Sequence, residues 1–235
     1  MKALLLAAGR GMRLRPWTDR IPKPLLKVGG QPLIVHQIRA LAAAGFRDLV
    51  VNLSYRGDQI RSALGNGEDW GVQIHYSEEG PEPLGTAGGI RRALPWLGST
   101  SFLVVNADLM TDFPYATLLD LEPDEKARIV LVPNPRHHPE GDFTLTQGRV
   151  GIGNGPRLTF AGIGCYRAVL FESMEADRSL PLGPGLRQWA LQGALGGRFY
   201  DGLWWDMGTP GAWRDAGFPL SGAPRDEPSD RSDSE

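Results

Sequence analysis

The sequence predicts an α/β fold, with a mostly parallel, mixed central sheet and helices on its faces. Three observations lead there. Lys2–Ala7, Asp48–Leu53, Ser101–Asn106 and Ala127–Val132 are short, continuous apolar runs, the pattern of strands buried on both faces. Stretches of helical periodicity separate the first three, so the order reads as βαβ units. The chain has 235 residues, 41% of them apolar, enough for one large core and short for two full domains.

Each element has its own signal. Lys2–Ala7 forms the first strand, and a glycine- and arginine-rich loop follows from Gly9 to Arg15. Pro32 opens a helix with Ile34, Ile38 and Leu41 on one face, and Gly45 stands where a helix terminator belongs. Asp48–Leu53 is the second strand, Gln59–Leu64 a short helix stopped by Gly65, and Val72–Tyr76 an alternating third strand. Thr86–Trp96 reads as a helix, Ser101–Asn106 as a strand running into Asp108, and Ala127–Val132 as a fifth strand. Beyond Pro133 the pattern loosens. Strand-like pieces fall at Phe143–Thr146, Leu158–Phe160 and Ile163–Tyr166, with helical patches at Ala168–Glu172 and Pro184–Leu191. This half is expected to elaborate the same sheet, giving a single domain over residues 1–220. From Ser221 the chain is nearly free of apolar residues, so residues 221–235 are expected to be a disordered tail.

Composition narrows the function classes. A net charge of −2 lacks the basic footprint of a nucleic-acid binder. The N-terminal apolar run is too short for a secretory signal, and no stretch nears the ~20 apolar residues of a membrane span. The expectation is a cytoplasmic protein without nucleic-acid or membrane partners. The one cysteine, Cys165, has no internal disulfide partner and lies in a strand-like segment, where a small core residue is expected.

Two local features suggest phosphate chemistry. Ala8, Gly9, Arg10, Gly11, Met12 and Arg13 follow the first strand directly, and ligands of open α/β sheets bind beyond strand carboxyl ends. The glycines let backbone N–H groups approach an anion, and Arg10, Arg13 and Arg15 add fixed positive charge. A dinucleotide fingerprint fails because its third glycine position is Leu14, and the P-loop pattern occurs nowhere. That argues against a dinucleotide-dependent oxidoreductase. Pro22-Lys23-Pro24-Leu25 is the second feature. Its prolines are expected to hold Lys23 extended and narrow the directions its ammonium can take.

Taken together, the motifs are more specific. Leu6-Ala7-Ala8-Gly9-x-Gly11-x-Arg13-Leu14-x-Pro16-x-Thr18 with Pro22-Lys23-Pro24-Leu25 resembles the signature of sugar-1-phosphate nucleotidyltransferases. Pro83 to Gly89 (PLGTAGG), Val105-Asn106-Ala107-Asp108 and Trp205-Asp206-Met207-Gly208-Thr209-Pro210 resemble that family's later motifs, in the family's order. The resemblance runs from Met1 to about Gly217. It implies a Rossmann-like sheet of the GT-A-like nucleotide-diphospho-sugar transferase fold, acting on a nucleoside triphosphate and a sugar 1-phosphate. It also implies roles. The Ala8–Arg13 loop and Lys23 would hold the triphosphate, with Arg13, Lys23 and Asp108 central to catalysis. Glu78, Gly85 and Thr86 would lie near the base. Asn106 would face ribose or sugar, and Asp108 and Asp206 would share a Mg²⁺ ion.

The middle of the chain bears on the substrate. Pro133 to Phe143, with paired histidines before Pro139, and Leu158 to Ile163 resemble the compact uridylyltransferases of N-acetylmuramic acid 1-phosphate, which serve bacterial cell-wall recycling. That resemblance puts Gly141, Asp142 and Gly162 in the sugar pocket and favours UTP. His137 and His138 are adjacent, so their side chains diverge, and a turn is expected there rather than a metal site. The PLGTAGG form also occurs in mannose-1-phosphate guanylyltransferases, and the Glu-Lys-Pro segment of many relatives is absent. Mannose-1-phosphate guanylyltransferases, glucose-1-phosphate uridylyl- or thymidylyltransferases and small cytidylyltransferases therefore stay open as alternatives. So does a regulatory homologue that binds sugar nucleotides without chemistry.

Overall fold

A computed structural model describes residues 1–220; the tail expected from Ser221 lies outside the described residues. Strand β1 (Ala3–Leu6) is followed by a hairpin of β2 (Lys27–Val28) and β3 (Gln31–Pro32), then by helix α1 (Leu33–Ala43). Next come β4 (Asp48–Leu53), α2 (Gly57–Leu64), β5 (Gln73–Glu78), α3 (Gly85–Leu97), β6 (Ser101–Asn106) and β7 (Leu109–Thr111). The second half supplies β8 (Ala127–Val132), β9 (Thr144–Thr146), β10 (Arg149–Gly151) and β11 (Thr159–Arg167). It ends with α4 (Val169–Glu172), α5 (Gly183–Leu191), β12 (Leu195–Phe199), β13 (Trp204–Asp206) and α6 (Pro210–Asp215).

Nine strands form one sheet in the order β5-β4-β1-β6-β11-β8-β12-β10-β9. β5, β4, β1 and β6 are mutually parallel, β11 runs antiparallel between β6 and β8, and β12 returns parallel to β8. The expected mixed, mostly parallel sheet is thus present, and the second half extends it. Side-chain alternation divides the core between the two faces. Leu5 and Val51 pack with Ile34, Ile38 and Leu41 of α1 on one side. Leu4, Val50 and Phe102 pack with Ile90 of α3, Phe171 of α4 and Trp189 of α5 on the other. A smaller cluster of Leu14, Leu26, Leu33, Met207 and Trp213 joins the region of the Gly9–Arg15 loop to β13 and α6.

The glycine after α1 behaves as its position suggests. Gly45 takes φ +93°, its N–H bonds the Ala42 carbonyl at 3.1 Å, and the Phe46 N–H bonds that of Leu41 at 3.0 Å. This is a Schellman closure, which needs a left-handed residue. Two expectations change. Leu158–Phe160 and Ile163–Tyr166 are not separate pieces: apart from Leu158, which bridges Phe143 on its own, they belong to β11, whose register shifts between Phe160 and Gly164. Gly162, at φ +74°, lies in that irregularity, which masks the strand's period-two pattern. Lys23 is not extended; it opens a 3₁₀ turn closed by Leu25 N–H to Pro22 O at 2.8 Å. Pro22 is the extended residue, with ψ 142°, and the turn's hydrogen bonds override the bias that Pro24 places on Lys23. Strands β7, β10, β12 and β13 and helix α6 carry too few residues for a periodic signal.

No helix among the described residues is long and apolar enough to cross a membrane. Cys165 is fully buried in β11, as expected, and burial pushes its thiol up to about 12. Thiolate is the reactive form, so Cys165 should resist iodoacetamide in native protein at pH 8 and react once the chain is unfolded in urea. Rapid native labelling, followed by mass spectrometry, would contradict this packing.

Candidate active site

The site forms where β1, β4 and β6 end. After Leu6 the chain leaves the sheet through Ala7 and Ala8, both buried, and Gly9 is exposed. Gly11 takes φ +63°, and a Cβ there would meet Thr18 Cγ2 at 2.9 Å and Lys23 Cβ at 3.2 Å. The loop therefore lies flat on the Thr18–Lys23 segment, and Thr18 Oγ1 donates to the Gly11 carbonyl at 2.9 Å. A side chain at this position would lift the loop. Met12 is half exposed, and Arg10 reaches the rim to pair with Glu82 at 2.7 Å.

Three charged groups meet below the loop. Lys23 is 9% exposed, and its ammonium contacts the Asp108 carboxylate directly and lies 3.8 Å from Asp206 Oδ1. The two aspartates are far apart in sequence, and a short ribbon brings them together. β13 pairs antiparallel with β7, placing Asp206 opposite Leu109, and Met207 N–H bonds the Asp108 carbonyl at 3.1 Å. The ribbon is itself anchored: the buried Gln37 of α1 donates to the Leu109 carbonyl at 2.6 Å. Arg13 completes the cluster. A Cβ on Gly208 would meet Arg13 Nη2 at 2.7 Å, Asp206 Oδ1 at 2.8 Å and Lys23 Nζ at 3.2 Å. All three side chains therefore converge on one glycine.

The electrostatics follow. Burial, and then the neighbouring charge of Asp108, raise the Asp206 carboxyl above the usual carboxylate range; Lys23, Arg13 and His137 oppose that shift. Two carboxylates directed at one point are a donor set short of the three that a protein-only site would need, and no larger His/Cys/Asp/Glu group occurs among the described residues. Magnesium accepts such a pair, since it completes its shell with phosphate oxygens and water. A divalent cation would also relieve the repulsion that Asp206 feels from Asp108. The residues fit Mg²⁺.

A cavity of about 630 Å³ opens against Asp206, Trp204 and His137, and two smaller, adjoining cavities lie beside the same cluster. One, of about 400 Å³, is lined by Arg13, Asn106, Asp142, Gly162, Trp204 and Asp206, among others. The other, of about 490 Å³, shares Asn106 and Asp142 and adds Gly85, Thr86 and Arg187. Asp142 is held by Phe160 N–H at 2.9 Å and His138 Nε2 at 3.2 Å. Gly162 makes room for Asn106, because a Cβ there would overlap the amide. Gly141 lines neither cavity: at φ +60° it forms the turn behind Asp142. The paired histidines also lie in a turn, closed by His138 N–H to Pro135 O at 2.9 Å.

Glu78 stands apart from the other expected site residues. Its exposed side chain pairs with Arg61, outside both cavities. The next carboxylate points inward instead: Glu79 is 8% exposed and bonds Asn52 and the Leu84 amide. Strand alternation separates the two. Sequence reasoning missed Glu79, Asn52 and Gln37, and it named Gly208 only as part of the Trp205–Pro210 motif. Asn52 and Gln37 did carry a signal, as polar residues on otherwise apolar faces of β4 and α1.

Residues 2–143 match the nucleotidyl transferase family. The chain is 46% identical over 216 residues to an N-acetylmuramate α-1-phosphate uridylyltransferase of Neisseria meningitidis, covering 89% of this chain and 94% of that protein. The chain belongs to the sugar-1-phosphate nucleotidyltransferase family. It is also 40% identical over 150 residues to a mannose-1-phosphate guanyltransferase of Aspergillus oryzae, a match covering 63% of this chain and 38% of that longer protein. Among solved structures, HddC from Yersinia pseudotuberculosis complexed with GMP-PN has a TM-score of 0.76 at 21% identity, over 92% of this chain and 97% of the other. The inositol-1-phosphate CTP transferase of T. maritima gives 0.73 at 21%, covering 90% of each. At that identity the likeness shows the fold, the GT-A-like sheet expected of the family.

Gly208→Ala tests the convergence of Arg13, Lys23 and Asp206 on one point. Its methyl should displace those groups and lower nucleotidyl transfer by about 100-fold, with the melting temperature near that of wild type. Unchanged turnover would show that the three side chains need not meet there.

Proposed function

We propose that this chain transfers a uridylyl group from UTP to N-acetylmuramic acid 1-phosphate, giving the UDP-sugar and pyrophosphate. The observation carrying this reading is the 46% identity to the Neisseria uridylyltransferase across 94% of that protein. Residues 1–220 would act as one domain, because the main sheet joins strands from Ala3 to Phe199. The chemistry suits a cytoplasmic setting, where nucleoside triphosphates are available.

In this reading the Ala8–Arg13 loop cradles the triphosphate, with Gly85 and Thr86 beside the base. Asn106, Asp142 and Gly162 line the sugar pocket, and Gly141 sets the turn that carries Asp142. An oxygen of the sugar phosphate attacks the α-phosphorus in line; the new P–O bond forms as the bond to the β-phosphate breaks, and pyrophosphate carries away the electron pair. No covalent enzyme intermediate is needed. The main obstacle is bringing two anions together, which positioning and charge neutralisation lower. Arg13 and Lys23 supply positive charge from the protein. Asp108 and Asp206 would hold Mg²⁺, which supplies further neutralisation when bound. Lys23 bridges both carboxylates, so it keeps them poised; with nucleotide and Mg²⁺ bound, its ammonium would be free to face the phosphates.

A second reading has its own support. The segment Pro83 to Gly89 and the 40% identity to a mannose-1-phosphate guanyltransferase favour GTP with mannose 1-phosphate. Pyrophosphate release separates the two when each nucleoside triphosphate is paired with the muramic, mannose and glucose 1-phosphates in the presence of Mg²⁺. The proposal expects release to be fastest with UTP and the muramic substrate. Preference for GTP and mannose 1-phosphate would favour the second reading, and no release with any pair would defeat both. Asp108→Asn should lower the preferred rate by at least about 100-fold without loss of fold, and a near-normal rate would remove Asp108 from the centre.

A further inference from the structure

We infer that Asn52 and Glu79 form a buried positioning pair, which locks the phosphate loop to the base-side segment and so sets the affinity for the nucleoside triphosphate. The inference rests on the reading above, in which those two segments hold the nucleotide. Asn52 is 2% and Glu79 8% exposed. They form one continuous chain of hydrogen bonds. Ala7 N–H donates to Asn52 Oδ1 at 2.6 Å, Asn52 Nδ2 donates to Glu79 Oε1, and Leu84 N–H donates to Glu79 Oε2 at 2.7 Å.

Both ends of the chain matter. The β1–β4 ladder finishes with Leu6 opposite Asn52, so Ala7 is the first residue beyond it and the root of the phosphate loop. The Asn52 side chain supplies the acceptor that β4 no longer provides. At the other end, Leu84 immediately precedes Gly85 and Thr86 and stands at the N-terminus of α3. Its carbonyl accepts from Leu180 N–H at 2.8 Å, so this residue is held from two sides. Helix α3 is packed onto the pair itself: a Cβ on Gly89 would overlap Glu79 Oε1 and come within 2.8 Å of Asn52 Nδ2.

The donor and acceptor logic is strict. Ala7 N–H can only donate, which fixes Oδ1 of Asn52 toward it and turns the NH₂ toward Glu79. Leu84 N–H also donates. Both Glu79 oxygens must therefore accept, as an ionised carboxylate does and an amide cannot. Burial raises the Glu79 carboxyl, and the bonds from Leu84 and Asn52 oppose that rise. One donor on each oxygen is the geometry that carries the linkage. Glu78, one residue earlier and exposed, offers no such connection.

Substitution can invert this pattern without changing its shape. Glu79→Gln places an NH₂ against one of two donors, leaving a buried clash of like partners. Adding Asn52→Asp restores complementarity. The carboxylate then at position 52 accepts from Ala7 N–H and from the amide at position 79, and the oxygen of that amide accepts from Leu84 N–H. The inference predicts that Glu79→Gln raises the KM for UTP about 10-fold while the KM for the sugar 1-phosphate stays within about 2-fold. The double variant should recover most of the UTP affinity. Equal effects on both KM values, or a lower melting temperature with unchanged kinetics, would mean a merely structural pair and overturn the inference. If Glu79→Gln does not fold, the double variant decides: a folded protein with near-native KM for UTP supports the inference, and one that is unfolded or weak for UTP overturns it. Direct titration of wild type with UTP keeps the two claims separate. Wild type that binds no nucleoside triphosphate refutes the reading of the site. Wild type that binds UTP, with variants that bind equally well, refutes only the positioning pair.

Discussion

Two carboxylates held beside one another in a half-buried cleft are the constraint around which the molecule is arranged. Asp108 and Asp206 repel each other, and burial adds to the cost of ionising Asp206. Three features hold them together. The β7–β13 ribbon fixes the two backbones, Gln37 anchors that ribbon to α1, and the Lys23 ammonium lies between the carboxylates. Gly208 then leaves room for Arg13 to approach the same point. The arrangement is anionic at its centre and cationic at its edge, which suits a metal–phosphate complex better than an isolated metal ion.

The larger fold makes this cluster possible. A parallel set of strands ends on one side of the sheet, where the Ala8–Arg13 loop leaves β1 and Asp108 follows β6. The antiparallel β11 and the returning β8 and β12 extend the sheet, and the chain then comes back through β13 to deliver Asp206. The small cluster of Leu14, Leu26, Met207 and Trp213 packs the region of the Gly9–Arg15 loop against that return. Buried apolar contacts thus fix the spacing between segments far apart in sequence, and polar contacts set direction within that frame.

Much of this is legible in the sequence, and for identifiable reasons. Asp48–Leu53 and Ser101–Asn106 are buried on both faces, so their apolar runs match the observed strands residue for residue. The phosphate loop, Lys23 and the two aspartates stand out through motif and resemblance, since no local pattern could pair Asp108 with Asp206. Other features are hidden. β11 carries a register shift at Gly162, which breaks its periodicity into two pieces. β7 and β13 have three residues each, too few for alternation to register. Glu78 and Glu79 are adjacent and chemically identical, and only the orientation of the strand end shows that Glu79 faces inward. Asn52 and Gln37 are visible as polar exceptions on apolar elements, but what they hold in place depends on tertiary contacts.

The central claim is that Asp108 and Asp206 form one divalent-cation site with the nucleotide phosphates. The most direct test is a crystal structure with UTP and Mn²⁺ in place of Mg²⁺, with the ion located by its anomalous signal. The account predicts a single ion bonded to both carboxylates and to phosphate oxygens, with Lys23 turned toward the phosphates. An ion bound away from one or both aspartates, with the nucleotide seated in the cleft, would contradict it.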